Sequence, residues 1–229
     1  MAISGTTIVV GASEADYGAG RTYVFSKTEA GWKQTAELEA SDGSGLDDYF
    51  GDSLAISGTT VVVGAWDHAW AYVFAKTGTG WKQTAELKGS DTVFGDNFGS
   101  SVAVSGTTVV VGAPSHANFA GRAYVFSRTA AGWEQTAELN RSDSWPVGLF
   151  GNSVAISGTT IVVGDFGNAF VLTNAGAAWE QVAELQGSNT VADDYFGNSV
   201  AISGTTVVVG APGKPKLPGY PGWAYVFAA

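Results

Sequence analysis

The sequence AISGTTVVVGA, which runs from Ala201 to Ala211, decides the fold because close copies of it occur five times along the chain. The other copies begin at Ala2, Ala55, Ala103 and Ala155, so that successive copies are separated by 53, 48, 52 and 46 residues. A period of this length indicates an array of one supersecondary unit rather than a fold with a unique core. Function is therefore expected where the copies differ.

Each unit predicts four short strands, called a to d in chain order. Strand a ends in a serine-glycine-threonine-threonine turn, where the glycine can take the positive φ of a tight hairpin. Strand b is an unbroken apolar run, such as Val207–Val209, which suits a strand covered on both faces. Strand c is AYVF or a close variant, and strand d alternates polar and bulky residues, as in Trp133–Leu139. That alternation is typical of an outer strand with one wet face.

Repeats of about 40–50 residues with four strands each are typical of β-propeller blades. We therefore expect an all-β, five-bladed β-propeller of four-stranded antiparallel blades, forming one domain over residues 1–229 with units that start near positions 2, 55, 103, 155 and 201. Only four d strands follow the five copies of strands a, b and c, so the last blade lacks its outer strand. Three alternatives stay open: a ring that closes with a three-stranded blade, a piece of a longer array, or a partner chain that supplies the missing edge.

The run FGNSVAISGTTVVVGAP (Phe196–Pro212), combined with GRAYVF and a tryptophan strand, resembles the FG-GAP repeat. That repeat is the blade motif of integrin α-subunit propellers and of many bacterial surface and secreted proteins. The resemblance is to the bacterial subtype, in which a W-x-Q-x-A-x-L strand precedes a serine-aspartate turn, here Ser41-Asp42, Ser90-Asp91 and Ser142-Asp143. The family implies adhesion or ligand binding, usually outside the cell, and it does not imply one ligand.

Unit four departs from this pattern. Asp165 replaces an alanine, Asn189 replaces the aspartate of the turn, and the loop after strand b shrinks to Phe166-Gly167.

Composition excludes several classes of partner. The net charge of −10, with only 11 scattered Lys and Arg residues, disfavours nucleic acid and anionic membrane surfaces. The chain has no cysteine, which excludes disulfides and thiol chemistry. No charged segment followed by a long apolar stretch opens the chain, so a signal sequence is expected to have been removed or never present. The apolar runs of the chain are too short to span a membrane. Location outside the cell or on its surface is therefore an expectation from the family resemblance alone.

Strand polarity predicts two unlike faces on the propeller. The a–b and c–d turns share one face and hardly vary, whereas the b–c and d–a loops share the other and vary strongly. Variable loops on a repeated scaffold are where binding is usually built. The second face is therefore the predicted binding face, and we call it the loop face.

Aromatic residues are unusually frequent in these loops, and aromatic rings beside polar groups can stack on sugars or anchor a protein. Trp66 and Trp145 are least explained by the repeat and are the first candidates. The other candidate ligand contacts are Asp67, Tyr17, Asn118 and Tyr220. The alternative is that Tyr49, Tyr195, Trp70 and Trp223 only fill grooves between blades. The repeated tryptophans at Trp32, Trp81, Trp133 and Trp179 are expected to pack within the propeller.

The acidic loops contain carboxylates of the type that bind calcium. The weak candidate ligands are Asp47, Asp48, Asp193 and Asp194. Integrin-like blades hold calcium in a D-x-D-x-D-G loop between strands a and b, where this chain has only SGTT. No cofactor is therefore expected. Asp42 and Asp91 are expected to cap their own turns.

Catalysis is not expected. Propeller glycosidases need carboxylates that converge on the central pocket, yet the residues after each Phe-Gly pair are Asp52, Ser100, Asn152 and Asn198. His68 and His116 lie in different units and are expected at the surface. The sequence thus predicts a non-catalytic, lectin-like or adhesive binding module for a carbohydrate or protein ligand. The alternative is a structural or self-assembling scaffold that uses the open strand edge. The chain is accordingly expected to be a monomer or a strand-complemented oligomer.

Overall fold

Five antiparallel sheets, arranged as propeller blades, make up the computed structural model of residues 1–42, 47–142, 148–176, 178–191, 194–213 and 222–228. Blade one contains β1 (Ala2–Ser4), β2 (Thr7–Ala12), β3 (Arg21–Thr28) and β4 (Gly31–Leu38). Blade two contains β5 (Leu54–Ser57), β6 (Thr60–Ala65), β7 (Trp70–Thr77) and β8 (Gly80–Leu87). Blade three contains β9 (Ser101–Ser105), β10 (Thr108–Ala113), β11 (Arg122–Thr129) and β12 (Gly132–Leu139).

Blade four contains β13 (Ser153–Ser157), β14 (Thr160–Gly164), β15 (Ala169–Asn174) and β16 (Trp179–Leu185), and blade five contains β17 (Ser199–Ser203), β18 (Thr206–Ala211) and β19 (Trp223–Ala228). The strands of every blade pair in chain order. The predicted fold class is therefore confirmed, including the three-stranded last blade. A single turn, α1 (His116–Phe119), follows β10. The described part of the chain contains no helix long and apolar enough to cross a membrane.

The apolar core lies between blades rather than within one sheet. Val110 of β10 and Val125 of β11 point towards blade four, where they meet Ile161, Val163 and Phe170. All five side chains are at most 1% exposed. Equivalent clusters join blades one and two, two and three, and four and five. We call the side of a blade that faces the next blade its leading face and the opposite side its trailing face.

A glycine at the end of strand b lets the blades approach closely. A Cβ atom added to Gly112 would lie 2.0 Å from the carbonyl oxygen of Gly151 in blade four, which is far inside van der Waals contact. Gly11, Gly64 and Gly164 are equally close to the next blade. These glycines are therefore required by packing between backbones.

Polar links join the outer parts of blades one and two and of blades two and three. The Tyr124 hydroxyl donates to Asp91 at 2.7 Å, and Tyr72 donates to Asp42 at 3.0 Å. The side-chain oxygen of Gln135 accepts from the backbone amide of Ser90 at 2.8 Å. Asp42 and Asp91, expected to cap their own turns, thus bind tyrosines of the following blade. The W-x-Q strand and the serine-aspartate turn therefore form hydrogen bonds across the interface between two blades.

The two terminal blades each have one uncovered face. On the leading face of blade five, Val208 is 37% and Val226 is 71% exposed, whereas Val110 and Val125 are 0% exposed. Among the described residues, none of the apolar clusters joins blade five to blade one. The four packed interfaces therefore follow chain order from blade one to blade five.

Candidate functional site

The b–c loop of one blade lies against the d–a loop that leads into the next blade. Tyr49 donates its backbone N–H to Gly18 at 2.7 Å, Leu149 to Phe119 at 2.9 Å, and Gly167 to Phe196 at 2.9 Å. Because these bonds connect the two variable loop types, the loops share one face of the molecule, as the strand polarity predicts. Hydrogen bonds thus join the described loops of blades one and two, three and four, and four and five on the loop face.

The residue before each Phe-Gly pair has a left-handed backbone. Its φ is +54° at Tyr49, +58° at Asn97, +58° at Leu149 and +55° at Tyr195. For a residue other than glycine or asparagine this conformation costs on the order of 1 kcal/mol. The packed Phe-Gly pair that follows holds the strained residue in place, so that the rings of Tyr49 and Tyr195 are fixed on the loop face.

An open groove of about 540 Å³ lies on the loop face between blades four and five. Its size falls within the range of small-ligand sites. It is lined by Phe166, Gly167, Asn168, Gln186, Thr190, Val191, Tyr195 and Phe196.

The short loop of unit four creates one wall of this groove. The Asp165 carboxylate accepts the backbone N–H of Asn168 at 2.7 Å and pairs with Arg141, which arrives from blade three. Asp165 is 0% exposed, and the Arg141 guanidinium lies 5.0 Å from the ring centre of Phe170. Since a buried carboxylate needs such partners, the pair fixes the turn from Asp165 to Asn168. The neighbouring ring of Phe166 is left 45% exposed.

Aromatic and amide groups meet in this groove. Phe166 and Tyr195 lie edge to face, with ring centres 5.4 Å apart. The side-chain amides of Asn168 and Gln186 lie 2.9 Å from each other, and Thr190 adds a hydroxyl to the lining. An apolar ring beside donors and acceptors suits a ligand with one apolar face and several hydroxyl groups.

The predicted candidate Trp66 lies elsewhere on the loop face, in blade two. Its ring stacks on Tyr49, with ring centres 5.1 Å apart and planes inclined by 16°. One face of Trp66 is therefore occupied by the protein, and the residue is half-buried. Asp67 lies in the same turn, also half-buried. Tyr49 therefore has the packing role that was proposed as its alternative, and the indole of Trp66 stays partly accessible.

Two other candidates are well exposed. Tyr17, in the loop after β2, is 88% exposed and has φ of +59°. Asn118 is exposed in α1, where φ is +58°. Trp145 and Tyr220 lie outside the described residues. None of the four described candidates lines the groove between blades four and five.

The described metal candidates, Asp47, Asp48 and Asp194, do not converge. Asp194 is 7% exposed and accepts the backbone N–H of Val191 at 2.9 Å, which explains its position without a metal. Asp48 lies 3.4 Å from the Nδ1 atom of His68, Asp47 is exposed, and Asp193 lies outside the described residues. Within the ranges that the structure describes, no group of three or more His, Asp or Glu residues is arranged to hold a metal ion.

His116 differs from its prediction as a surface residue. Its side chain is 13% exposed, and its Nδ1 atom lies 2.8 Å from a carboxylate oxygen of Asp96. Its Nε2 atom lies 3.4 Å from Asp91, the acceptor of the Tyr124 hydroxyl. Burial, together with the carboxylate, raises the pKa of Tyr124 well above its ordinary value of 10.0. This cluster therefore holds the loop before blade three against the blade.

The sequence did not single out three polar residues of the groove, Asn168, Gln186 and Thr190, because amides and hydroxyls are common in loops. A signal was present in the departures of unit four, since Asp165 and the shortened loop create the groove. The loop position of Phe166 was also visible from the sequence.

Repeated blades with one nearly invariant turn face and one variable loop face define a β-propeller scaffold, which fits a binding or adhesion module in general. The sequence profile described as FG-GAP repeat matches residues 32–74, 81–126, 133–178 and 179–227. Because these matches cover more than half of the chain, it belongs to the FG-GAP repeat family. No curated protein matches the chain at a significant level. Each matched unit joins the outer strand of one blade to the inner three strands of the next.

Proposed function

We propose that this chain is a non-catalytic binding module that recognises carbohydrate through its loop face, as an adhesive or lectin-like protein outside the cell. The observation that carries the proposal is the groove between blades four and five, where Phe166 and Tyr195 lie beside Asn168, Gln186 and Thr190. Sugar rings present C–H groups on one face and hydroxyls at the rim, and this combination matches the groove.

Charge narrows the class of sugar. The chain carries a net charge of −10, and Arg141, which lies beside the turn that walls the groove, is paired with Asp165. A protein field of this sign repels anionic ligands. Neutral oligosaccharides are therefore the expected ligands, and sulfated or sialylated glycans are expected to bind more weakly.

The test is a titration of neutral oligosaccharides at millimolar concentration, followed by calorimetry or by NMR shifts. Phe166→Ala removes the most exposed ring of the groove and should weaken binding about tenfold, which corresponds to about 1.4 kcal/mol. Phe94→Ala is the matched control, because Phe94 is 79% exposed in the loop before blade three and lies outside the groove. Equal weakening by both variants, or silence across the neutral sugars, would contradict the proposal.

Trp66→Ala separates two binding positions on the loop face. If the Tyr49–Trp66 pair in blade two is the main contact, then Trp66→Ala weakens sugar binding and Phe166→Ala does not. The groove proposal requires the reverse order. Both variants should retain the thermal unfolding temperature of the parent chain to within a few degrees, because both rings are partly exposed.

A second candidate function is supported by the open edge of blade five. An apolar groove of about 240 Å³ lies beside β19 and is lined by Thr160, Val171, Thr173, Val182, Ala183, Leu185 and Ala228. At the interface of blades three and four, the equivalent positions Ser127, Ala137 and Leu139 lie against Trp179. Blade five has no outer strand, so this tryptophan position is unfilled there. Val182 is 58% exposed at this site.

This second candidate is a protein-interaction scaffold that takes up a W-x-Q-x-A-x-L strand from a partner chain by strand addition. A peptide with the sequence of β12 (GWEQTAEL) should bind and quench or shift its own tryptophan fluorescence. The same peptide with the tryptophan replaced by alanine should not bind. Binding of both peptides alike would show that the groove does not select the indole.

A further inference from the structure

The leading face of blade five has the residues of an interface without a neighbour. Val208 and Val226 are 37% and 71% exposed, although the equivalent pair in blade three, Val110 and Val125, is completely buried. The atoms nearest to an added Cβ at Gly210 belong to Ser199 of its own blade, whereas at the equivalent Gly112 the nearest atom is the carbonyl oxygen of Gly151 in the next blade. This face therefore matches the four buried leading faces in chemistry and differs from them because no described residue of another blade covers it.

The trailing face of blade one is uncovered in the complementary way. Ile3 is 63% and Trp32 is 43% exposed. Ile8 and Val10 are only half-buried, while their counterparts in blade two are 0% exposed. A small cavity of about 140 Å³, lined by Met1, Ala2, Ile3 and Ile8, marks this surface. Exposed apolar patches of this kind mark interaction surfaces.

One hydrogen bond repeats at every covered interface and is absent between the terminal blades. The turn serines Ser4, Ser57, Ser105 and Ser157 each accept the backbone N–H of the turn glycine in the next blade, at 3.1–3.2 Å. Within the described residues, Ser203 of blade five makes no such bond to Gly5 of blade one. Ser203 and Gly5, the two residues that would form a fifth such bond, are both exposed. The apolar and polar groups of the two terminal faces are thus complementary. The same groups pair at the four packed blade interfaces of the chain.

We propose that the leading face of blade five binds the trailing face of blade one in a second copy of this chain. The contact continues the established blade-to-blade interface across two molecules, with Val226 and Ile3 among the residues that it buries. Such a contact is head-to-tail, so that it joins two unlike surfaces. Apolar burial drives it, and the net charge of −10 on each copy opposes it. Association therefore strengthens as salt screens this repulsion.

The first experiment is light scattering of the whole chain over a range of protein and salt concentrations. The expected mass rises above the 23.5 kDa of one chain as either concentration increases. Val226→Glu and Ile3→Glu should each give a concentration-independent monomer. Val93→Glu, which places the same charge at a residue 61% exposed in the loop before blade three, should associate like the parent chain.

The second experiment mixes the two monomeric variants. The Ile3→Glu variant retains an intact leading face, and the Val226→Glu variant retains an intact trailing face. A head-to-tail contact therefore predicts a one-to-one dimer that grows no further. A parent chain that stays monomeric at every concentration would overturn the proposal, and so would a mixture in which folded variants, checked by circular dichroism, remain monomers. Sugar binding plays no part in either readout.

Discussion

The identical strands β10 and β18, both TVVVGA, have different surroundings. In β10 the middle valine, Val110, is 0% exposed, and in β18 the equivalent Val208 is 37% exposed. Their trailing residues are buried alike, since Val109 and Val207 are both 0% exposed. The difference teaches that burial in this molecule is set by the next blade rather than by the strand itself. Stability in such an array is a sum over neighbouring interfaces.

The largest effect should come from a charge at the middle valine. Val110→Asp places an unpaired carboxylate between blades three and four and should lower the free energy of unfolding by about 4 kcal/mol or more. Val208→Asp reaches water and should cost less than about 1 kcal/mol in dilute protein. Urea unfolding of both variants measures the difference. Equal losses would mean that the exposed face of blade five is covered in solution.

The glycine after the apolar run offers a second matched pair. Gly112→Ala drives a methyl group into the carbonyl oxygen of Gly151, 2.0 Å away, and should cost about 3 kcal/mol through overpacking. In Gly210→Ala the closest atom is the Ser199 hydroxyl oxygen at 2.3 Å, and the next atom is 3.6 Å away. Rotation of that serine relieves the contact, so the cost should stay below about 1 kcal/mol. Thermal unfolding at low protein concentration separates the two variants.

The strand c tyrosines differ in their acceptors. Tyr124→Phe removes a 2.7 Å hydrogen bond to the Asp91 carboxylate and should cost about 2 kcal/mol at neutral pH. Tyr225→Phe removes a bond of the same length to the neutral amide oxygen of Asn189 and should cost about 1 kcal/mol. Unfolding by urea at neutral pH should show this order.

The same tyrosines predict a loss of stability in alkali. Burial raises the pKa of Tyr72 and of Tyr124 above the ordinary value of 10.0 in the folded chain. The stabilising contribution of the protonated phenols is therefore complete below pH 10 and is lost as the pH rises further. The difference between the parent chain and Tyr124→Phe should shrink above pH 10. A constant difference through that range would contradict the assigned cause.

The smallest effect concerns the turn serines. Ser157→Ala removes an exposed 3.2 Å bond from Gly204 and should cost about 0.5–1 kcal/mol. Ser203→Ala removes no equivalent bond and should change stability by less than about 0.5 kcal/mol. Differential scanning calorimetry of dilute samples provides the comparison. In associated samples the two costs should converge, because the proposed contact between copies supplies the missing bond.

The strands and the number of blades could be predicted from the sequence because the same residues recur in five copies of strands a, b and c and in four copies of strand d. Val110 and Val208 show why burial could not be predicted equally well. Their local sequences are the same, and only the packing of the following blade distinguishes them. The acceptors of Tyr72 and Tyr124 were also not predictable, since each bond joins a tyrosine of one blade to the turn after the outer strand of the preceding blade.

Strand polarity correctly predicted that the b–c and d–a loops share one side of the molecule, but it did not predict the groove there. It depends on the ion pair of Asp165 with Arg141, two residues of different blades whose pairing has no local signature. Phe166 was recognisable as a loop aromatic, whereas Asn168 became a candidate only when the turn placed it beside Gln186. The predictions for Trp145 and Tyr220 concern residues outside the described ranges and stay predictions.

The offset between sequence unit and blade bears on how such chains change their length. Each unit carries the outer strand of one blade and the inner strands of the next, so the bonds of Tyr72 to Asp42 and of Tyr124 to Asp91 each lie within one unit and are duplicated or lost with it. When one whole unit is removed, the inner three strands of one blade are followed by an outer strand of the same type. The gene can therefore vary the number of blades in single steps, because the seam glycine and the turn serine recur in every unit.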